Sequence, residues 1–229
     1  MTKEELELYL KEFNISDVNK LETLASETLK ANELFNLTAI KDINDFRELM
    51  IYDSLLPLKY FSFDNKNIID IGTGAGFPGL PLAISTKGKF TLLDSTSKKI
   101  NHINEVSKKL DLSNVKAISA RAEEYARKHI NEYDYAIARA VSSLPILIEL
   151  AIPLLKVGGY LIAMKSNKSE EEIALSKRAL KELNAEIIDV YNDQLPISKE
   201  NRTLIVIKKI KSSPKKYPRS YSEIKSKTL

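Results

Sequence analysis

The chain has 229 residues, 43% of them hydrophobic, with 35 basic and 31 acidic side chains and a net charge of +4. That is room for one α/β domain plus an elaboration, with enough apolar residues for a real core. The absence of cysteine removes disulfides, thiolate zinc sites and cysteine nucleophiles together.

The charged N-terminus, Met1-Thr2-Lys3-Glu4-Glu5, is unlike a signal peptide, and the expected location is cytoplasmic. Helical spacing then covers 3–13, through Leu6, Leu10 and Phe13, and 17–35, through Val18, Leu21, Leu24, Ala25 and Leu29, with Asp17 as N-cap. A third helix over 43–60 ends near Pro57. Residues 1–62 are read as a helical extension packed on the sheet that follows, within a single domain spanning 1–229.

Residues 68–83, I-I-D-I-G-T-G-A-G-F-P-G-L-P-L-A, are the most informative stretch. An apolar strand end, Ile68–Ile71, runs into Gly72, Gly74, Gly76 and Gly79 and then into an apolar helix. Glycine turns sharply and lets a ligand approach the backbone. Such a strand, loop and helix hold a nucleotide-like cofactor. Gly74-x-Gly76-x-x-Gly79 also satisfies the dinucleotide pattern. Asp70, inside the strand end, would repel a pyrophosphate and attract a cationic group. S-adenosylmethionine (SAM) carries an ammonium and a sulfonium and no phosphate. Asp94 follows Gly72 by 22 residues, at the end of the next strand, where an acid accepts both ribose hydroxyls. NAD enzymes use the same device, so an NAD-dependent oxidoreductase is one alternative; a tight turn without a ligand is another.

Beyond the loop, short apolar runs alternate with amphipathic stretches. Strands are predicted at Asn67–Ile71, Lys89–Asp94, Val115–Ser119, Tyr133–Ala138, Tyr160–Lys165, Ala185–Val190 and Leu204–Lys208. Helices are predicted at 78–85, 97–110, 122–130, 143–155 and 169–183, with Gly158-Gly159 as the turn into the fifth strand. The alternation implies a mostly parallel, doubly wound sheet, here with a SAM-binding core over 63–210. NAD folds use six parallel strands; a seventh at the chain's end suggests the methyltransferase version. The apolar stretch Leu144–Leu155 contains Glu149 and two prolines and does not span a membrane. His102 and His129, the only histidines, fall on polar helical stretches and are expected to be solvated. No metal site is visible.

Residues 208–227 hold eight lysines and arginines against the single acid Glu223. Such a tail, assigned here to 211–229, contacts nucleic-acid phosphates or is a solvated end; Tyr217 and Tyr221 among the charges favour nucleic acid, because bases stack on aromatic rings.

Several motifs occur together in order: Asn36-Leu37-Thr38-Ala39-Ile40, Asp70–Pro81, Leu93-Asp94-Ser95, Arg121-Ala122-Glu123, Ala138-Arg139-Ala140 and Tyr217-Pro218-Arg219. From about residue 20 to 219 the chain resembles the bacterial 16S rRNA guanine-N7 methyltransferase family, also called glucose-inhibited division protein B. The resemblance implies a seven-stranded, Rossmann-like class I methyltransferase fold, SAM as methyl donor and a guanine in the 530 loop of small-subunit rRNA as substrate. It puts cofactor contacts on Gly72, Phe77, Ala122, Glu123 and Arg139. Two departures stand out. Met50 occupies the place of the family's usual histidine before Asp53-Ser54, and the tail after Arg219 reads Ser220-Tyr221-Ser222-Glu223 in place of glycine, proline and lysine.

The chemistry agrees by elimination. Guanine N7 has an exposed lone pair and needs no general base, so catalysis reduces to positioning. Zero cysteines excludes covalent attack on cytosine carbon 5, and the Asn/Asp-Pro-Pro-aromatic motif for exocyclic amines is replaced by Ala138-Arg139-Ala140-Val141. Arg139 ends the fourth strand, at the ligand-binding edge, and serves phosphate, guanine or cofactor there, or forms a surface salt bridge. Arg121 is placed similarly after strand three. Glu123 accepts from a cofactor nitrogen or favours its helix dipole. Phe77 packs on the cofactor or in the core. Asn36, Lys165, Lys215, Lys216 and Arg219 are candidate substrate contacts. The expected partner is 16S rRNA or the small ribosomal subunit, bound by a monomer. A further alternative is an RNA-binding or ribosome-associated module with a vestigial cofactor fold.

Overall fold

The computed structural model describes residues 1–15, 17–166 and 169–229. The expected seven-stranded doubly wound sheet is present. Its strands are β1 (Asn67–Ile71), β2 (Lys89–Asp94), β3 (Val115–Ser119), β4 (Tyr133–Arg139), β5 (Leu155–Lys165), β6 (Ala185–Gln194) and β7 (Asn201–Lys209), in the order β3-β2-β1-β4-β5-β7-β6. The first five run parallel, and β7 lies antiparallel between β5 and β6. Strand order reverses between β1 and β4, and sheets of this kind bind ligands at the carboxyl ends beside that switch.

Both faces of the sheet are covered. Successive strand residues point to opposite faces. Ile68 therefore joins one apolar core, and Ile69 and Ile71 join the other. The first core is closed by helices α1 (Lys3–Leu10), α2 (Val18–Phe35), α3 (Ile43–Phe46), α4 (Asp53–Leu55), α5 (Gly79–Ser85) and α6 (Ser97–Lys109). The extension thus buries Leu6, Leu21, Leu24 and Phe46 with Ile68 of β1 and Phe90 of β2. Between α3 and α4 the helix loosens into a π turn over Arg47–Tyr52. The second core is closed by α7 (Ala122–Lys128), α8 (Leu144–Ala151), α9 (Ser169–Leu175) and α10 (Lys177–Glu182), joined by Tyr217 and Leu229. A last helix, α11 (Tyr221–Ser226), begins on a capping box in which Ser220 and Glu223 satisfy each other's backbone N–H groups.

Four sequence expectations change. The fifth strand starts at Leu155, five residues early, so Gly158 and Gly159 lie within it. Gly158 has φ +86°, and pairing with β4 slips there, so the glycines kink the strand and do not precede it. The helix before it ends at Ala151, followed by a 3-10 turn over Ile152–Leu154. The helix expected over 169–183 is two, parted at Ser176, whose hydroxyl donates to the Glu172 carbonyl at 2.7 Å. His102 is buried, 4% exposed, with Nε2 3.2 Å from the Thr28 hydroxyl, and burial pushes its pKa down. It ties α6 to α2. His129 is half-buried and stacks on the Tyr125 ring at 4.0 Å.

The basic run is also less free than its composition suggests. Lys209 is fully buried and donates to the carbonyls of Ile152 and Leu155 at 2.9 and 2.8 Å and to Asn131 Oδ1 at 2.8 Å. Burial pushes its pKa down to about 8. No helix among the described residues is long and apolar enough to cross a membrane.

Candidate functional site

Parallel pairing brings the ends of β1, β2, β3, β4 and β5 to one edge. Ile71 faces Leu93, Asp94 faces Ser119, and Arg139 faces Met164. Two cavities open along this edge and meet at Val141 and Ser142.

The first, of about 300 Å³, lies over β1, β2 and β3. Gly72, Asp94, Arg121, Ala122 and Glu123 line it, as does Tyr221. The glycine loop is stitched to β2 by Gly72 and Thr73 amides donating to the Leu93 carbonyl at 2.8 and 3.0 Å. Gly74, at φ +61°, has no atom within 4 Å of where a Cβ would stand, so the loop crest is open to a ligand. Its amide donates to Asp94 Oδ2 at 3.0 Å, and the Thr96 amide to Oδ1 at 2.8 Å. Each Asp94 oxygen has lone-pair capacity left for a hydroxyl. Glu123, 7% exposed, sits in the first turn of α7.

Asp70 takes a different position from the one its sequence suggests. It is 1% exposed and lies under the loop, where Oδ2 accepts from Thr73 Oγ1 at 2.6 Å and the Gly79 amide at 2.8 Å. Oδ1 is buried and has no hydrogen-bond partner among the described residues. Burial pushes its pKa up to about 7, against the two hydrogen bonds and the Arg139 charge. An acid raised in the folded state takes up a proton on folding, so its contribution is full below about pH 4 and is lost as pH rises through about 7. The ligand-free protein should lose on the order of a few kcal/mol of stability across this window. Urea denaturation from pH 5 to 7 checks it, and Asp70→Asn should flatten the slope; an unchanged slope would refute the assignment.

The second cavity, of about 620 Å³, lies over β4 and β5. Arg139 lines it, not the first. Its Nη1 donates to the Leu49 carbonyl at 3.0 Å and Asp53 Oδ2 at 3.1 Å, and its Nη2 to Met50 Sδ at 3.3 Å. Met50, standing where the family's histidine is usual, thus provides a weak sulfur acceptor. Arg202 Nε holds the other Asp53 oxygen at 3.1 Å. Lys165 enters from the end of β5, its Nζ 2.7 Å from both the Ser142 carbonyl and Glu172 Oε2. The wall therefore presents alternating charges, two arginines and a lysine against Asp53, Glu172 and Glu200.

Other candidates fall elsewhere. Phe77 is 4% exposed, packs edge-on against Phe46 at 5.4 Å and lines neither cavity, so its side chain lies in the core. Gly76 turns within the loop at φ +101°. Asn36 is exposed, ends α2 at φ +50° and borders neither cavity. Lys216 pairs with Glu182 at 3.2 Å, and Arg219 with the buried Glu149 at 2.6 Å; Lys215 is exposed. Sequence reading missed Asp53, Arg202 and Tyr221 as lining residues, because each arrives from outside the strand-end motifs.

A doubly wound sheet with an antiparallel seventh strand, a glycine loop after β1 and an acid after β2 define a methyltransferase-type α/β protein. Solved structures agree on the fold. A SAM-dependent methyltransferase from Aquifex aeolicus superposes with a TM-score of 0.55 at 20% identity, covering 72% of this chain and 93% of its own. Pyrococcus horikoshii TYW2 in complex with MeSAdo gives 0.58 at 16%, covering 71% and 63%. The family model for rRNA small subunit methyltransferase G, GidB, matches residues 17–202. The ribosomal RNA small subunit methyltransferase G of Alkaliphilus metalliredigens is 41% identical over 213 residues, 90% of this chain and 89% of that one. That of Oenococcus oeni is 44% identical over 196 residues, 83% and 81% of the two chains. The chain belongs to the GidB family of small-subunit rRNA methyltransferases. Neither the oxidoreductase nor the vestigial module finds support among these relatives.

Proposed function

We propose that the first cavity holds SAM and that the second receives a guanine of the 530 loop of 16S rRNA, whose N7 is methylated. The observation that carries this is the pair of cavities meeting at Val141–Ser142 on the carboxyl edge of the sheet. A donor in one and an acceptor in the other can face each other there, within the approach of about 3–3.5 Å that transfer needs.

The residues suit this donor. The open crest at Gly74 and the carboxylate of Asp94 fit an adenosine ribose. Asp70 acts from beneath the loop, holding Thr73 and the Gly79 amide so that the loop keeps this shape. When bound, SAM supplies an electrophilic methyl on sulfur. The chain's own part is to bind, orient and exclude water; N7 offers its lone pair directly, so no side chain needs to remove a proton. Lys165, Arg139 and Arg202 line the second cavity with donors suited to a guanine oxygen or a phosphate. We read the protein as acting in the cytoplasm, as a monomer, on small-subunit rRNA.

The test incubates the protein with methyl-labelled SAM and 16S rRNA, an assembly intermediate or the 30S particle, and maps 7-methylguanine by strand cleavage. Label at one guanine of the 530 loop is expected. Calorimetry with SAM and with NAD accompanies it. NAD binding without SAM binding, or rRNA binding without transfer to any substrate form, would defeat the reading.

A further inference from the structure

We propose that Tyr221, from the C-terminal segment, stacks on the adenine of the bound cofactor and completes the base end of the first cavity. This rests on the reading that the cavity takes SAM.

The order of elements along the sheet edge fixes which end of the ligand Tyr221 meets. Asp94, the ribose acid, ends β2. The glycine loop lies on the β1 side of it, and the link from β3 with the start of α7, Ala120–Glu123, lies on the β3 side. A nucleoside with its sugar on Asp94 and its amino-acid arm toward the loop extends its base toward that link. Tyr221 stands there, with the Arg121 guanidinium 5.9 Å from its ring centroid.

Tyr221 is 36% exposed, while Ile224, three residues on, is fully buried. The segment is therefore docked with Tyr221 partly open to solvent; the Lys225 ammonium also lies 5.8 Å from the ring centroid, on an exposed side chain that a stacking base can displace. Its docking is strong. Arg219 makes three hydrogen bonds to Glu149, at 3.0, 2.8 and 2.6 Å, and the adjoining Leu150 lines the same cavity. The capping box between Ser220 and Glu223 then sets the start of α11, where Tyr221 is the first residue. A ring held on both sides loses little freedom when a base stacks on it. One residue of the basic tail thus lines the first cavity.

Calorimetry with S-adenosylhomocysteine and with 5′-methylthioadenosine, which lacks the amino-acid half, tests the assignment. Tyr221→Ala should raise both Kd values by a similar factor, roughly five- to hundredfold, the range of base–aromatic stacking. Tyr221→Phe should restore affinity. The chain has no tryptophan, so Tyr221→Trp adds a single reporter whose emission should shift when either ligand is added. This variant also decides the matter if Tyr221→Ala does not fold. Unchanged affinity in Tyr221→Ala, a loss confined to S-adenosylhomocysteine, or a tryptophan blind to both ligands would overturn the proposal. Failure of the intact protein to bind either ligand would instead overturn the SAM reading, and this one with it.

Discussion

Arg139→Ala is expected to cut methyl transfer to the 30S particle by at least about 10²-fold, the cost of misplacing one group where catalysis is positioning. Affinity for S-adenosylhomocysteine should stay close to that of the intact protein. The separation follows from geometry: Arg139 lines the second cavity and borders no part of the first, where we place the cofactor. The family resemblance alone would have assigned it to the cofactor. Its guanidinium also bridges the end of β4 to Leu49, Met50 and Asp53 of the helical extension. The variant should therefore lose about 1.5–3 kcal/mol of stability, the range for a hydrogen bond to a charged group. Asp53 keeps Arg202, which limits the loss. Arg139→Lys should rescue stability in part and transfer little, since a point charge cannot span three acceptors. Transfer rates, calorimetry and thermal unfolding on the same preparations separate the effects. A collapse of cofactor affinity alongside transfer would move Arg139 to the donor side.

The elements legible in the sequence were those whose signal is local. The glycine loop, Asp94 and the strand periodicities place β1, β2 and the first cavity without any long-range information. The second cavity was hardly legible. Asp53 comes from the extension, Arg139 from β4 and Arg202 from β7, and nothing in the spacing of positions 53, 139 and 202 foretells that one carboxylate takes both guanidiniums. Burial was misread for the same reason. Lys209 and Arg219 look alike in a basic run, yet the first is sunk among carbonyls and the second is taken up by Glu149. Asp70 was read as a ligand for a cation from its place in the motif. Its observed work is to hold Thr73 and Gly79, with one oxygen spare. Charge in a sequence is a count; its availability depends on partners far along the chain.

Arg219→Ala should destabilise the protein by about 3–5 kcal/mol, the penalty for leaving one member of a buried ion pair uncompensated. Glu149 is 1% exposed within α8, and its hydrogen bonds hold the Arg219 guanidinium firmly protonated. Without Arg219 the carboxylate has no charge partner among the described residues, and the backbone amide at 219 is the remaining donor. For a chain of this size the loss corresponds to a fall of roughly 6–20 °C in Tm. Glu149→Leu combined with Arg219→Leu should recover most of it, because a buried pair replaced by apolar groups is often neutral. Lys215→Ala, at an exposed side chain, should change stability by less than about 0.5 kcal/mol. The competing reading makes Arg219 a phosphate contact. It requires Arg219→Ala to fold as well as the intact chain and to reduce the salt dependence of rRNA binding by about 0.7–0.9 in log–log slope. Denaturation midpoints and salt titrations on the single, double and Lys215 variants therefore distinguish a clamp from an RNA contact. The clamp predicts that stability and cofactor affinity fall together, since Arg219 fixes the turn that presents Tyr221.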